Sequence, residues 1–287
     1  MRNALTFDLE DYFQVGAFSD RVSVRDWGRY SGRLPENTSK ILDLLAEHKC
    51  LATFFVLGWA AVNQPQVMSR IAACGHEIAC HSYHHRPVFE MTPAEFREDT
   101  RRAKQVLEDL CGKAVYGYRA PSFSITRDSL WAFEILAELG FTYSSSIFPV
   151  KHPNYGMPQG PRFPFRISTR SGDIVEFPMT TVQYGAGRSP LGGGAYLRIL
   201  PYWYTRWGIR YLNELEGQPA CVYLHPWELD SKQPRINGTL TARLRHYLGL
   251  HGLESKVRRL LRDFQFCPLG SLVEQVEPQN RRTIFVA

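Results

Sequence analysis

The sequence predicts an α/β fold in which helices cover a parallel β-sheet that is either open or closed into a barrel. Short apolar runs of strand length alternate with longer segments of helical period over most of the chain, and such alternation is typical of parallel sheets. Residues 51–57 form an almost wholly apolar run, L-A-T-F-F-V-L, as expected for a strand buried on both faces. The 287 residues are 44% hydrophobic and 22% charged, which is ordinary for a globular protein and excludes a disordered, collagen-like or coiled-coil chain.

Strands are predicted where a short apolar run is bounded by polar or turn-forming residues. In chain order they cover residues 4–8, 51–57, 77–80, 115–118, 142–146, 174–177 and 220–224. Several of these runs are followed at once by acidic, histidine or arginine side chains. Because the carboxyl ends of parallel strands meet at one rim of the sheet, we expect those side chains to lie together.

Helices are predicted between the strands from their apolar spacing and their end signals. Asn37 or Thr38 is the expected cap of the first helix, Thr92 and Glu95 form a capping box, and Gly140 ends a later helix. The predicted helices cover residues 38–49, 64–74, 93–110, 126–139 and a segment near 199–215.

Two other segments differ from this pattern. Residues 180–196 are rich in glycine but lack a phosphate-loop motif, so we expect a mobile loop that closes over a site. After Trp227 two arginine-rich helices are predicted, at 240–250 and 253–264. We expect one domain over residues 1–287, with 228–287 as a basic helical C-terminal extension.

The distribution of charge and the lengths of the apolar runs limit the expected location and partners of the chain. Lys and Arg exceed Asp and Glu by 6, and 5 of this excess lies from Arg235 onward. Such a tail indicates a solvated basic surface or an anionic partner, although no motif supports nucleic-acid binding. No apolar run has the length of a membrane span or a signal peptide. We therefore expect a cytoplasmic protein that can associate with the inner membrane.

Charged and imidazole side chains concentrate at the predicted rim. Three carboxylates lie within the four residues 8–11, and burial of such a run requires a compensating cation. His81 and His85 are four residues apart, so in a helical turn both imidazoles face one way. Two histidines and one carboxylate form a familiar open metal site.

These residues occur in motifs that resemble a known family. L-T-F-D-L-E-D, H-S-Y-H-H, R-A-P-S-F and L-H-P-W, in this order on alternating segments, resemble the motifs of the polysaccharide deacetylases, carbohydrate esterase family 4. The opening N-A-L-T-F-D-L-E-D-Y-F-Q-V and the segments F-P-M-T-T and P-L-G-G-G-A-Y-L-R resemble a subgroup associated with exosortase-linked exopolysaccharide gene clusters. The likeness covers nearly the whole chain.

The resemblance implies a distorted, incomplete (β/α) barrel that holds one divalent metal ion, usually zinc. It implies that the chain hydrolyses the N-acetyl group of an amino sugar in an N-acetylated polysaccharide or oligosaccharide. Carried onto this sequence, Asp8 matches the general base, Arg119 the arginine that orients it, and His225 the general acid. His81 and His85 match two metal ligands.

Two acidic residues, Glu10 and Asp11, are candidates for the third metal ligand. The common family motif has adjacent aspartates, whereas Leu9 follows Asp8 here. Strand alternation places Glu10 on the same face as Asp8. A turn that begins at Glu10 would instead bring Asp11 to the metal.

Aromatic and neighbouring residues of the rim are the expected substrate contacts: Tyr12, Pro121, Phe123 and Trp227. Peripheral association with an exopolysaccharide assembly complex is a further expectation from the subgroup. Two other functions share the same fold and stay open. One is a hydrolase of small C–N substrates, similar to an allantoinase, and the other is a carbohydrate-binding protein without turnover.

Overall fold

In this computed structural model, the residues described are 1–152, 156–185, 187–273 and 284–285. They form twelve strands. In chain order these are β1 (Arg2–Leu9), β2 (Thr53–Val56), β3 (Glu77–Cys80), β4 (Gly117–Tyr118), β5 (Tyr143–Ser144), β6 (Phe165–Thr169), β7 (Gly172–Glu176), β8 (Thr181–Tyr184), β9 (Gly187–Pro190), β10 (Cys221–Leu224), β11 (Gln265–Cys267) and β12 (Ile284–Phe285).

Ten strands form one curved sheet in the order β10-β1-β2-β3-β4-β5-β7-β6-β12, and β11 pairs with the first residues of β1. Neighbours are parallel except β6 and β7, which form an antiparallel hairpin. No pairing between β10 and β12 closes the sheet within the described residues. The predicted distorted, incomplete (β/α) barrel is therefore confirmed.

Helices connect and cover these strands. The described α-helices are α1 (Leu34–Glu47), α2 (Gly58–Asn63), α3 (Pro65–Ala73), α4 (Pro93–Cys111), α5 (Ala132–Glu138), α6 (Gly194–Ile199), α7 (Tyr202–Arg210), α8 (Leu240–Tyr247), α9 (Leu250–Asp263) and α10 (Leu269–Val273). A π-helical turn, Tyr211–Leu215, continues α7. No helix in the described part of the chain is both long enough and apolar enough to cross a membrane.

Strand β2 shows how the sheet divides the core, because alternate side chains point to opposite faces. Phe54 belongs to the apolar layer between the sheet and the helices, where its ring stacks on Phe7 with centroids 5.1 Å apart. Phe55 belongs to the smaller cluster inside the barrel. The Arg119 guanidinium lies 4.1 Å from the centroid of the Phe55 ring, so the inner cluster forms the floor beneath the rim.

The capping residues in the sequence predicted the ends of α4 correctly, whereas they did not predict the start of α1. The Thr92–Glu95 capping box is confirmed, with α4 ending at Gly112 in the left-handed conformation. The predicted cap of α1 at Asn37 or Thr38 is wrong, because the helix begins at Leu34 and both residues are buried within it.

The second half of the chain is more structured than its sequence indicates. The expected loop at 180–196 instead contains the β8–β9 hairpin and the start of α6. The helix predicted near 199–215 is divided after Leu200, because Pro201 cannot donate the backbone hydrogen bond that a continuous helix needs. The two predicted C-terminal helices are confirmed as α8 and α9, but the extension is not wholly helical, since it also supplies β11 to the main sheet.

Candidate functional site

A buried ion pair joins the end of β1 to the end of β4. Asp8 is 2% exposed, and its Oδ1 accepts a 2.6 Å hydrogen bond from Nη1 of Arg119, which is wholly buried. The same guanidinium donates to Thr6 Oγ1 at 2.8 Å and to Ser145 Oγ at 3.0 Å. Because these contacts fix the guanidinium, Arg119 holds the Asp8 carboxylate in one orientation.

Three side chains next to this pair form a cluster that could hold a metal ion. One ligand atom each from Glu10, His81 and His85 lies within 4.8 Å of the others. Glu10 and His81 are buried, and the His85 side chain is 8% exposed. Glu10 Oε2 lies 2.8 Å from His85 Nε2 yet makes no well-directed hydrogen bond in the described structure. A buried carboxylate oxygen that lacks a hydrogen-bond donor and lies near two imidazoles is a suitable ligand for a divalent cation.

The protonation states of the cluster also suit a cation. Burial lowers the pKa of His81 to about 4, and its Nδ1 lies 2.8 Å from the Arg119 carbonyl oxygen. A neutral imidazole that donates from Nδ1 to this carbonyl presents the lone pair of Nε2. Burial would raise the pKa of Glu10, but the facing imidazoles of His85 and His225 lower it to about 2.

Local backbone geometry brings His85 to the cluster. His85 has φ +57°, a left-handed conformation that is uncommon for a residue with a side chain. Its backbone N–H donates to Ser82 Oγ at 3.1 Å, and Ser82 itself has φ +67°. The segment after β3 is therefore a strained turn, as is common at functional sites. The structure brings the two histidines together through this turn rather than through a helical one.

Both carboxylate oxygens of Asp11, the other candidate for the third ligand, accept hydrogen bonds from the backbone. Its Oδ2 accepts from the backbone N–H groups of Arg33 at 2.6 Å and Leu34 at 3.1 Å, and its Oδ1 accepts from Tyr12 N at 2.9 Å. These donors include the free N–H groups at the start of α1. Asp11 therefore caps α1 across 22 residues of sequence, and the structure does not place it in the metal cluster.

His225 follows β10 and faces the same cluster from the other side. Its Nε2 lies 3.4 Å from Glu10 Oε1 and 4.0 Å from Asp8 Oδ2. Its Nδ1 lies 3.1 Å from Oε2 of the buried Glu228. Burial alone would lower the pKa of His225, but the carboxylates of Glu10 and Glu228 raise it to about 9. The imidazolium form is thus favoured at neutral pH.

Residues 4–144 match the family model described as polysaccharide deacetylase, and this part of the chain belongs to that family. Residues 145–274 match a domain of unknown function, DUF3473. The resemblance seen in the sequence is thereby confirmed at the level of the family, and the exosortase-linked subgroup stays a prediction.

Relatives of the deacetylase region include a chitooligosaccharide deacetylase from Bradyrhizobium, 36% identical over 100 residues, which are 34% of this chain and 46% of the relative. A peptidoglycan-N-acetylglucosamine deacetylase from Bacillus cereus is 38% identical over 100 residues, 34% of this chain and 36% of the relative. The matched region thus spans less than half the length of each relative. A crystal structure from Mycobacterium smegmatis, assigned to the polysaccharide deacetylases, shares the fold with a TM-score of 0.64 and 21% identity over 99% of this chain and 92% of that one.

The deacetylase region alone does not supply the whole site. Asp8, Glu10, His81 and Arg119 lie within residues 4–144, whereas His225 lies in the region that matches the domain of unknown function. Parallel pairing of β10 with β1 places Leu224 beside Phe7. The two matched regions therefore meet at the site through the sheet itself.

Glu228 and Arg198 have roles in the site that the sequence did not reveal. Glu228 Oε1 accepts a 2.7 Å hydrogen bond from Arg198 Nε, and both side chains are buried. Burial would raise the pKa of Glu228, but Arg198 and His225 lower it to about 2. The spacing H-P-W-E was the available signal, because Glu228 closes a capping box onto His225.

A cavity of about 940 Å³ opens beside these residues. Phe123 and Trp227, two of the four expected substrate contacts, line it. Tyr12 and Pro121 are buried outside its lining, and the Tyr12 hydroxyl donates to the Ser31 carbonyl at 3.3 Å. The structure therefore does not bring these two side chains into the cavity lining, and their contact with substrate stays a prediction.

Proposed function

We propose that this protein is a metal-dependent hydrolase that removes N-acetyl groups from amino sugars of an exopolysaccharide or its precursor. The observation that carries the proposal is the convergence of a metal-binding cluster, an arginine-held carboxylate and a carboxylate-held imidazole around one cavity. The relatives named for chitooligosaccharides and peptidoglycan support an N-acetylated glycan as substrate.

Glu10, His81 and His85 are the proposed ligands of the metal, and zinc is the ion that we propose. Two imidazole nitrogens and one carboxylate leave an open position, which is typical of catalytic zinc sites. A divalent cation held by these residues supplies Lewis-acid chemistry for the amide carbonyl, which is a poor electrophile.

Asp8 is the proposed general base. Its Oδ1 is occupied by Arg119, so Oδ2 is the oxygen that can accept a proton from an attacking water. Arg119 is a positioning residue, because its guanidinium contacts the carboxylate from a wholly buried location. The base therefore starts each cycle in a fixed orientation.

His225 is the proposed general acid. Glu228 holds Nδ1, which leaves Nε2 pointing toward the acidic groups of the cluster. An imidazolium in this place can donate the Nε2 proton to the departing amine, so that acetate and a free amino sugar are the products. Phe123 and Trp227 are the proposed contacts of the sugar rings.

Acetate release by the full-length protein tests the proposal. A panel of N-acetylated oligosaccharides of increasing length is incubated with the protein before and after chelation, and zinc is then restored. We expect acetate release that increases with oligomer length, disappears on chelation and returns with zinc. Preference for a small amide such as allantoin would favour the alternative hydrolase, and glycan binding without acetate release would favour a non-catalytic protein.

The proposal also includes the cellular location at which the protein encounters its polymer substrate. We infer peripheral association with an inner-membrane exopolysaccharide assembly from the subgroup resemblance. Co-purification of the tagged protein with the membrane fraction of its host, compared with a variant that lacks the tag, would test this part separately from catalysis.

A further inference from the structure

Helix α8 exposes an unusual row of apolar side chains. Leu240, Leu244 and Leu248 are 71%, 53% and 50% exposed, and their spacing of four residues places them along one side of the helix and its end. Single exposed leucines are common on protein surfaces, but an aligned row forms an apolar patch that indicates a partner.

The segment around this row carries positive charge only. Residues 231–253 contain four Lys or Arg and no Asp or Glu. Arg243 and Arg245 are exposed beside the leucines, and Arg243 has no ion pair among the residues that the structure describes. We call this the α8 surface, and it comprises Leu240, Arg243, Leu244, Arg245 and Leu248.

A neighbouring segment extends the apolar area. Arg198 Nη1 donates to the Leu248 carbonyl at 2.7 Å, which brings Ile199, 47% exposed, beside the end of the α8 surface. Exposed aliphatic side chains beside basic residues are typical of surfaces that lie at the boundary between lipid and water.

We propose that the α8 surface docks on an anionic lipid bilayer. Leucine side chains would enter the boundary of the acyl chains, while the arginines would contact lipid phosphates. A nucleic acid or an acidic glycan would match the charge but would leave the leucines in water. A second copy of this chain would cover the leucines but would bring the same excess of positive charge against itself.

The α8 surface lies close to the site, so docking through this surface would orient the cavity relative to the bilayer. His246, on the buried side of α8, stacks on Trp227 with centroids 4.1 Å apart, and Trp227 stacks on His225 at 5.0 Å. Arg245 lines the cavity as well as the α8 surface. Docking therefore places the cavity next to the bilayer, where it meets glycans carried on lipid. Only this consequence for the substrate rests on the proposed function.

Flotation of the purified full-length protein with vesicles tests the proposal without any assay of activity. Vesicles of phosphatidylcholine alone are compared with an equimolar mixture of phosphatidylcholine and phosphatidylglycerol. The test variants are Arg243→Gln and the double variant Leu244→Ser with Leu248→Ser, and the matched controls are Arg101→Gln on α4 and Leu51→Ser before β2. All five side chains are exposed, so circular dichroism should show an unchanged fold.

We expect binding to the anionic vesicles only. Arg243→Gln should weaken this binding about five-fold, the double leucine variant about ten-fold or more, and the controls should bind as the wild type does. Binding to neither vesicle, or equal losses in the test and control variants, would overturn the proposal. It would also be overturned by a dimer in light scattering that the leucine variant dissociates, because the surface would then be an interface between two copies.

Discussion

A single methyl group added at Gly194 tests whether Glu228 holds the proposed general acid. A Cβ at this position would lie 2.6 Å from both Cδ and Oε1 of Glu228. Gly194 does not have a positive φ, so Gly194→Ala introduces a steric conflict without backbone strain. The conflict must displace the Glu228 carboxylate from its place between Arg198 and His225.

The size of the effect follows from what the carboxylate contacts. Glu228 accepts from Arg198 Nε at 2.7 Å and from the His225 backbone N–H at 2.9 Å, and its Oε2 lies 3.1 Å from His225 Nδ1. Overpacking together with the weakening of one charged hydrogen bond should lower the free energy of unfolding by about 3 kcal/mol. Loss of the fixed imidazole orientation should lower kcat about 10- to 100-fold, with a smaller change in KM.

Urea unfolding and acetate release measure the two effects. Gly252→Ala on α9 is the matched control, because a Cβ there meets nothing within 4 Å; it should keep full turnover and gain about 1 kcal/mol. If Gly194→Ala acts through Glu228, adding it to Glu228→Ala should cost little further turnover. Normal kcat in Gly194→Ala, or full additivity in the double variant, would refute the reasoning.

Three other predictions follow from the site and the core. Glu10→Gln should abolish retention of one divalent ion per chain while Asp11→Asn retains it, as measured by elemental analysis after dialysis; the reverse result would make Asp11 the ligand. Asp8→Asn should lower the rate of acetate release by at least about 100-fold and leave Arg119 buried without its anion, so the free energy of unfolding should also fall, by about 3–5 kcal/mol in urea titrations. Burial raises the pKa of Glu176 to about 7, above its value in the unfolded chain. The native state therefore binds this proton more tightly, and the free energy of unfolding should decline between about pH 4.5 and pH 7, by about 2–3 kcal/mol. A Glu176→Gln variant that keeps this decline would assign it to another group.

Features that short stretches of sequence determine could be predicted. The capping box of α4 is complete within Thr92–Glu95, and the buried run of β2 lies within seven residues. The histidines after β3 and His225 after β10 follow their strands directly. Because parallel strands share one rim, the order of elements was enough to bring these side chains together.

Features that depend on distant partners could not be predicted. The start of α1 depends on Asp11, which lies on the other side of a long loop and takes the N–H groups that a local cap would take. The same contact engages both carboxylate oxygens of Asp11, which is why we propose Glu10 as the third ligand. The contact of Arg198 could likewise not be predicted from the sequence, because its partner Glu228 lies 30 residues later in the chain.

Arg119 serves the site with two separate parts of one residue. Its carbonyl oxygen contacts His81 Nδ1, and its guanidinium holds Asp8. Any amino acid supplies the carbonyl, but only arginine supplies the forked cation. Substitution at position 119 would therefore leave the carbonyl contact of His81 intact while Asp8 lost its cationic partner. A change of this one side chain would thus separate binding at the proposed metal cluster from turnover by the proposed base.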